Sequence, residues 1–229
     1  MNPLELTGRA RTHVVQRDDL RAAVHPQALE AFLAMREQAA RDGIELAVFS
    51  AFRDFDAQLA IWNRKYRGER PLFRLDGSVR EHASLSEAEL IDAILEWSAL
   101  PGTSRHHWGT DLDVYDAAAM PEGYRVQLLP AEYACDGVFQ RLSAWLDANM
   151  QHFGFFRPYD AYRGGVHPEP WHLSYAPVSS AALSLLTLEL VEETVRDTGI
   201  LSRDAVLAQL GQVYERYVRN VAAPPAGLA

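Results

Sequence analysis

One segment of the 229-residue chain constrains the fold more than any other, residues 110–116 with the sequence TDLDVYD. Its polar and apolar residues alternate, as they do in a strand whose successive side chains point to opposite faces. Leu112 and Val114 would lie on one face, with Asp111 and Asp113 on the other. Since an apolar face must pack against another element, the pattern predicts a sheet with a core on one side.

The rest of the chain contains apolar helical patterns, interrupted by two further strands at 44–50 and around 171–175. The predicted helices cover residues 26–42, 54–65, 86–100, 136–152, 179–197 and 202–220, and a polar loop covers 66–83. The spacing between the strands is hairpin-like and does not suit βαβ units. It therefore predicts an α+β fold, with a small antiparallel sheet flanked by helices.

Charge and composition exclude several classes of protein. The net charge of −9 and the pI near 5.3 argue against a nucleic-acid or anionic-membrane binder held by a basic surface. The chain lacks a run of 18 apolar residues, so we expect no membrane span. The N-terminal segment has no signal-peptide pattern, which predicts a cytoplasmic protein, or a periplasmic one if a leader was removed. The single cysteine, Cys135, excludes an internal disulfide and is expected to be buried in a helix.

Two histidines and two carboxylates fall where the predicted strands and turns can bring them together. His106 lies on the turn that enters the strand from which Asp113 projects, and His172 can approach from a neighbouring strand. Glu169 precedes His172 by three residues. A catalytic zinc ion takes three such ligands and keeps one position open for water, while a further carboxylate moves protons. Residue types alone leave two alternatives, hydrogen-bonded surface residues and a structural zinc site.

The complete motifs are more specific than the residue types. Three motifs resemble those of the zinc D,D-carboxypeptidases and D,D-dipeptidases of the VanY/VanX type. They are S-x-H-x-x-G-x-x-x-D at 104–113, E-x-W-H at 169–172 and S-x-F-R at 50–53. The resemblance runs from about residue 48 to residue 176. It implies one zinc ion bound by His106, Asp113 and His172. It also implies that Glu169 is the catalytic base and acid.

The resemblance further implies roles in substrate recognition for three residues. Arg53 would polarise the scissile carbonyl or hold the substrate carboxylate, although a salt bridge with Asp54 or Asp56 is an alternative from the sequence. Gln58 and Ser104 would help to recognise the C-terminal carboxylate, although Ser104 also suits a cap of the turn. The expected ligand is therefore a small peptide that ends in D-Ala.

The implied function is a zinc-dependent carboxypeptidase that removes the terminal D-Ala from peptides of the bacterial cell wall. Alternatives are a D-Ala-D-Ala dipeptidase, an L,D-carboxypeptidase, or a zinc-containing module that binds cell-wall peptides without hydrolysis. The motifs predict a single zinc peptidase domain over 1–221, with its catalytic part at about 44–176, extra C-terminal helices at about 179–220, and a flexible tail over 222–229. The long 66–100 segment and these helices depart from the minimal family pattern, and the 66–83 loop would serve as a lid, a substrate-selecting wall or an inert insertion.

Overall fold

The predicted alternating segment forms the centre of a sheet. In the computed structural model, which describes residues 1–228, strand β4 (Asp111–Asp116) belongs to a four-stranded antiparallel sheet. Its neighbours are β3 (Leu46–Ser50) and β6 (His172–Tyr175), and β5 (Phe155–Phe156) lies at the outer edge beside β6. The predicted α+β class with a small antiparallel sheet is confirmed.

Helices surround this sheet, and a separate hairpin lies near the N-terminus. The hairpin pairs β1 (Val15–Arg17) with β2 (Ala22–Val24) and was not predicted from the sequence. The helices are α1 (Pro3–Leu6), α2 (Pro26–Arg41), α3 (Phe55–Tyr66), α4 (Glu87–Leu95), α5 (Pro130–Tyr133), α6 (Gln140–Asn149), α7 (Ala176–Leu185), α8 (Leu188–Arg196), α9 (Arg203–Ala208) and α10 (Leu210–Val213). Short 3₁₀ turns occur at His82–Ser84, Arg105–Trp108, Ala117–Ala119 and Met150–Phe153, and a π-helical turn at Tyr214–Arg219 follows α10.

Two clusters of buried apolar side chains form the interior. One joins α2 and α6 to the sheet, and it includes the fully buried Phe32 together with Leu112 of β4. The other joins α3 and α4 to the C-terminal helices through residues such as Trp62, Ile91 and Val195. The extra C-terminal helices are therefore packed into the interior through apolar contacts.

Several predicted boundaries differ from those in the structure. The helix predicted over 136–152 begins at Gln140, because Asp136 has a φ of +69° and lies in a turn. Cys135 precedes this turn and is exposed, so the expected burial in a helix is wrong. The helix predicted over 179–197 is interrupted at Thr187, whose side chain caps α8 by accepting the N–H of Leu190.

The ends of the chain bear on two further predictions. The single domain over 1–221 and the flexible tail over 222–229 stay predictions, and residue 229 lies outside the described residues. At the start of this tail, the backbone N–H of Ala222 donates to the carbonyl of Pro158. Among the helices within residues 1–228, none combines the length and apolar character needed to cross a bilayer.

Candidate metal centre

Strand pairing places two of the predicted ligands side by side. Asp113 of β4 lies directly opposite His172 of β6, and Ser50 of β3 lies opposite Asp113 on the other side. Directly opposed residues in antiparallel strands project to the same face of a sheet. One row across three strands therefore presents a hydroxyl, a carboxylate and an imidazole to the same face of the sheet.

The third predicted ligand comes from the turn that precedes β4. His106 lies in the 3₁₀ turn Arg105–Trp108, and Gly109 ends this turn with a φ of +65°, which favours glycine. A Cβ at Gly109 would lie 2.4 Å from Cγ1 of Val14, and the carbonyl of Gly109 accepts the N–H of His25 at 2.8 Å. The N-terminal hairpin thus packs closely against the turn that presents His106.

The three side chains meet in a buried group. Ligand atoms of His106, Asp113 and His172 all lie within 4.8 Å of one another. Nε2 of His106 is 3.4 Å from Oδ2 of Asp113, and Nδ1 of His172 is 3.5 Å from Oδ1 of Asp113. Each of the three residues is less than a tenth exposed.

The polar atoms of this group fit a metal ion. Oδ1 of Asp113 is buried and accepts no hydrogen bond from any residue of the described chain. Burial raises the pKa of Asp113, but His106, His172 and Arg53 together hold it below its ordinary value, which favours the ionised form. A buried carboxylate oxygen that lacks a donor, beside two imidazoles, suits a divalent cation.

Glu169 lies at the edge of this group. Its Oε2 is 3.0 Å from Nδ1 of His172, and it lines the same cleft as Asp113. The turn before β6 fixes this position, since the N–H of Glu169 donates to the carbonyl of Tyr159 and the N–H of His172 donates to the carbonyl of Glu169. A carboxylate at this position is a proton acceptor and donor next to the three candidate ligands.

Asp111 contacts His172 from the other edge of the imidazole. Its Oδ1 lies 3.0 Å from Nε2 of His172 and accepts Nε of Arg105 at 2.8 Å, and the residue is fully buried. Burial raises the pKa of Asp111, but Arg105 and His172 hold it well below its usual range. Asp111 is therefore shielded from solvent and placed to orient His172. Asp111 leaves Nδ1 of His172 facing Asp113.

The charge around His172 also suits a cation. Burial lowers the pKa of this imidazole, but hydrogen bonds to Asp111 and Glu169 and the charge of Asp113 raise it to about 10. Three carboxylates therefore surround one imidazole. A proton on His172 or a divalent cation bound in its place would offset this negative charge.

Arg53 is fixed beside the candidate ligands. Nη1 donates to Oε1 of Gln58 at 2.9 Å, and Nη2 donates to Oγ of Ser50 at 3.1 Å. Within the described residues, no salt bridge forms between Arg53 and Asp54 or Asp56, and Asp54 instead caps α3. Arg53 lines the cleft with the remaining guanidinium donors available to a ligand.

The other two predicted substrate residues lie in different places. Gln58 is fully buried, and it accepts from Arg53 and donates Nε2 to the carbonyl of Ala99 at 2.7 Å, so it lies behind Arg53. Direct contact of Gln58 with substrate stays a prediction, and the observed bonds give it the task of holding Arg53. Ser104 lines the cleft, and its side chain forms no cap bond with the turn among residues 1–228.

The cleft also contains residues that the sequence did not identify. Its volume is about 300 Å³. Lys65 and Arg70 contribute basic side chains, and Tyr217 from the C-terminal π-helical turn contributes to the wall. Tyr159 packs its ring edge-on against His172, with 5.1 Å between ring centroids. Lys65 is seven residues after Gln58 and so shares its helical face, a signal that was available in the sequence.

A buried group of two histidines and one aspartate, with a further carboxylate beside it in a cleft, is typical of hydrolytic metal centres. Comparison with known proteins gives the family. The family model for VanY, described as D-alanyl-D-alanine carboxypeptidase, matches residues 21–178. The chain therefore belongs to the VanY family of peptidases, as the motifs indicated.

Two curated proteins are similar to this chain over part of its length. An uncharacterised protein of Haemophilus influenzae is 35% identical over 121 residues, which is 52% of this chain and 92% of that protein. A D-alanyl-D-alanine carboxypeptidase of Enterococcus faecalis is 28% identical over 148 residues, 63% of this chain and 45% of that protein.

Three solved structures share the fold. VanYB in complex with D-alanine-D-alanine gives a TM-score of 0.54 at 21% identity, covering 83% of this chain and 92% of that one. A VanY D,D-pentapeptidase mutant in complex with Zn(II) gives a TM-score of 0.52 at 22% identity, and the match covers 76% of this chain and 84% of that one. The LD-carboxypeptidase LdcB gives a TM-score of 0.51 at 20% identity, and the match covers 92% of this chain and 80% of that one.

Proposed function

We propose that this protein is a zinc-dependent carboxypeptidase that hydrolyses the terminal D-Ala peptide bond of peptidoglycan-derived peptides. The observation that carries the proposal is the buried group of His106, Asp113 and His172, with Glu169 beside it and Arg53 in the same cleft. The Zn(II) complex of one structural neighbour and the D-alanine-D-alanine complex of another support the choice of metal and ligand.

In this proposal, His106, Asp113 and His172 hold the zinc ion. When bound, zinc supplies Lewis acidity, which polarises a carbonyl group and lowers the pKa of water toward about 7. The protein contributes three buried side chains that the fold already brings together. Asp111 accepts from Nε2 of His172 and so keeps the opposite nitrogen directed at the site.

Glu169 moves the protons in this reaction. A carboxylate oxygen of Glu169 accepts a proton from the attacking water and then delivers it to the nitrogen of the departing amine. Its contact with His172 holds it beside the ligand group. Without this transfer the amine would leave as an anion, which is a far poorer leaving group.

Arg53 stabilises the charge that develops on the substrate. Ser50 and Gln58 hold two of its donors, so the guanidinium is already oriented when the peptide arrives. Its remaining N–H groups donate to the scissile carbonyl oxygen as that atom gains negative charge. Because the guanidinium is preorganised, little of its side-chain freedom is lost in the transition state.

The bond specificity has two candidates. The VanYB complex favours a D,D bond, whereas the similar TM-score of LdcB over 92% of this chain favours an L,D bond. A panel of a pentapeptide ending in D-Ala-D-Ala, a tetrapeptide with a terminal L,D bond and free D-Ala-D-Ala distinguishes these two activities from a dipeptidase. We expect zinc-dependent release of D-Ala from the pentapeptide.

The experiment that tests the mechanism replaces Glu169. Glu169→Ala and Glu169→Gln remove the proton acceptor but none of the three proposed ligands. We expect release of D-Ala to fall by at least about 10²-fold while zinc binding is kept. If zinc-loaded wild-type protein binds the pentapeptide but releases no D-Ala, the protein is a binding module and the proposal is wrong. Near-normal turnover in both variants would remove Glu169 from the mechanism.

A further inference from the structure

Three basic side chains line the cleft without a carboxylate partner. Among the residues that the structure describes, Arg53, Lys65 and Arg70 form no salt bridge, whereas Arg105 is paired with Asp111. The protein as a whole carries a net charge of −9. The carboxylates of Asp113 and Glu169 also line the cleft, but they lie at the candidate metal centre, which leaves the three unpaired cations to attract an anionic group.

Lys65 is held in place by another residue of the cleft wall, as Arg53 is held by Ser50 and Gln58. It lies near the end of α3, where its Nζ donates to Oγ of Ser98 at 2.6 Å. Ser98 is next to Ala99, whose carbonyl accepts Nε2 of Gln58 from the same helix face. Residues 98–99 are therefore held against α3 at two points, and Lys65 and Ser98 face the cleft together.

The ammonium group of Lys65 has donors available for a ligand. An ammonium group has three N–H donors, and the structure shows one of them bonded to Ser98. Burial is the main cause of a lowered pKa for Lys65, about 8; Glu169 acts in the opposite direction, and Arg70 and Arg53 lower it further. Lys65 is thus mostly charged at neutral pH, and within residues 1–228 no carboxylate lies within salt-bridge distance of it.

We propose that Lys65 and Ser98 bind the free C-terminal carboxylate of the peptide substrate. This inference rests on the proposed carboxypeptidase function and assigns separate tasks to two cations. Arg53 is anchored beside Asp113 and Glu169 and serves the scissile carbonyl, whereas Lys65 serves the carboxylate of the leaving residue. A cleft of about 300 Å³ suits a small terminal residue between them. The requirement for a free terminus would then come from a charge-assisted hydrogen bond to Lys65.

The test compares a peptide that ends in D-Ala-D-Ala with the same peptide as its C-terminal amide. Lys65→Met removes the charge and keeps an apolar stem, Lys65→Arg restores a cation, and Arg64→Met is a control that removes an exposed cation from the same helix. For the free acid, we expect kcat/KM of Lys65→Met to fall about 10–100-fold, mainly through KM. The amide should change little, Lys65→Arg should recover much of the loss, and Arg64→Met should match the wild type.

A purely structural role for Lys65 would lower the values for both peptides equally, and that result, or an unchanged acid-to-amide preference, would overturn the inference. Failure of the proposed function is distinguishable, since zinc-loaded wild-type protein would then cleave neither peptide. In that case calorimetric binding of the same two peptides decides the matter. A preference for the acid that disappears in Lys65→Met supports the inference. A preference that persists, or wild-type protein that binds neither peptide, overturns it.

Discussion

Oδ1 of Asp111 lies 3.0 Å from Nε2 of His172, on the edge of the imidazole opposite to the nitrogen that faces Asp113. The same oxygen accepts Nε of Arg105, so the carboxylate is itself held in place. A carboxylate that fixes the outer nitrogen of a metal-binding histidine sets its tautomer and ring orientation. The proposed metal centre therefore depends on a residue that does not contact the metal.

The first prediction concerns Asp111. Asp111→Asn removes the charge that orients His172, so we expect zinc affinity to fall about 10–100-fold. Asp116→Asn is the matched control, because Asp116 is a buried aspartate of the same strand whose partners are the backbone N–H groups of Glu45 and Ala118. Competition with a chromogenic chelator measures both affinities well below the unfolding temperature. Equal affinities in the two variants would show that Asp111 does not orient the ligand.

The second prediction concerns the glycine that ends the His106 turn. Gly109→Ala forces a left-handed φ on a residue with a Cβ and places that Cβ against Val14, so we expect a destabilisation of about 1–3 kcal/mol and weaker zinc binding. Gly77 also has a positive φ, but a Cβ there meets nothing within 4 Å in the described structure. Gly77→Ala should therefore destabilise the fold less and leave zinc affinity unchanged. Thermal unfolding measures the first effect and zinc titration the second. Equal effects of the two substitutions would contradict the close packing at Gly109.

The third prediction is a pH dependence that comes from Lys65. Its pKa of about 8 means that the side chain is a cation below this pH and loses its charge as the pH rises through it. Because only the cation attracts a carboxylate, kcat/KM for the free-acid peptide should decline above about pH 8. Burial is the main cause of this lowered pKa, Glu169 raises it, and Arg70 and Arg53 lower it further.

Lys65→Arg provides the control for this decline, because arginine stays charged throughout the range. A change in kcat/KM with pH that arises from the metal ligands or from Glu169 is common to both proteins. The decline that arises from Lys65 is absent from the variant. Superimposable pH profiles of kcat/KM for wild type and Lys65→Arg would exclude Lys65 as the group that titrates.

The sequence predicts the centre of this site better than its surroundings. Alternation over 110–116 identified the strand that carries Asp113, and short motifs identified His106, His172 and Glu169. These residues lie next to features that a short stretch of sequence reveals, namely a glycine in a turn and a strand with alternating side chains. Strand pairing then brings them together, as the antiparallel fold required.

The contacts that support the site could not be predicted, because they join distant segments. Asp111 is on the expected strand face, but its contact with His172 joins residues 61 positions apart in the chain. Lys65 acquires its place from Ser98, which is 33 residues later in the chain. The β1–β2 hairpin consists of three-residue strands with little apolar alternation, so no periodicity indicated it.

The central claim is that His106, Asp113 and His172 together hold one zinc ion, and zinc content per chain after dialysis tests it most directly. We expect one equivalent in wild type, in Glu169→Gln and in His152→Ala, which changes an exposed histidine. We expect almost none in His106→Ala, Asp113→Ala and His172→Ala, each checked for native circular dichroism. Full zinc content in these three folded variants, or none in the wild type, would contradict the account.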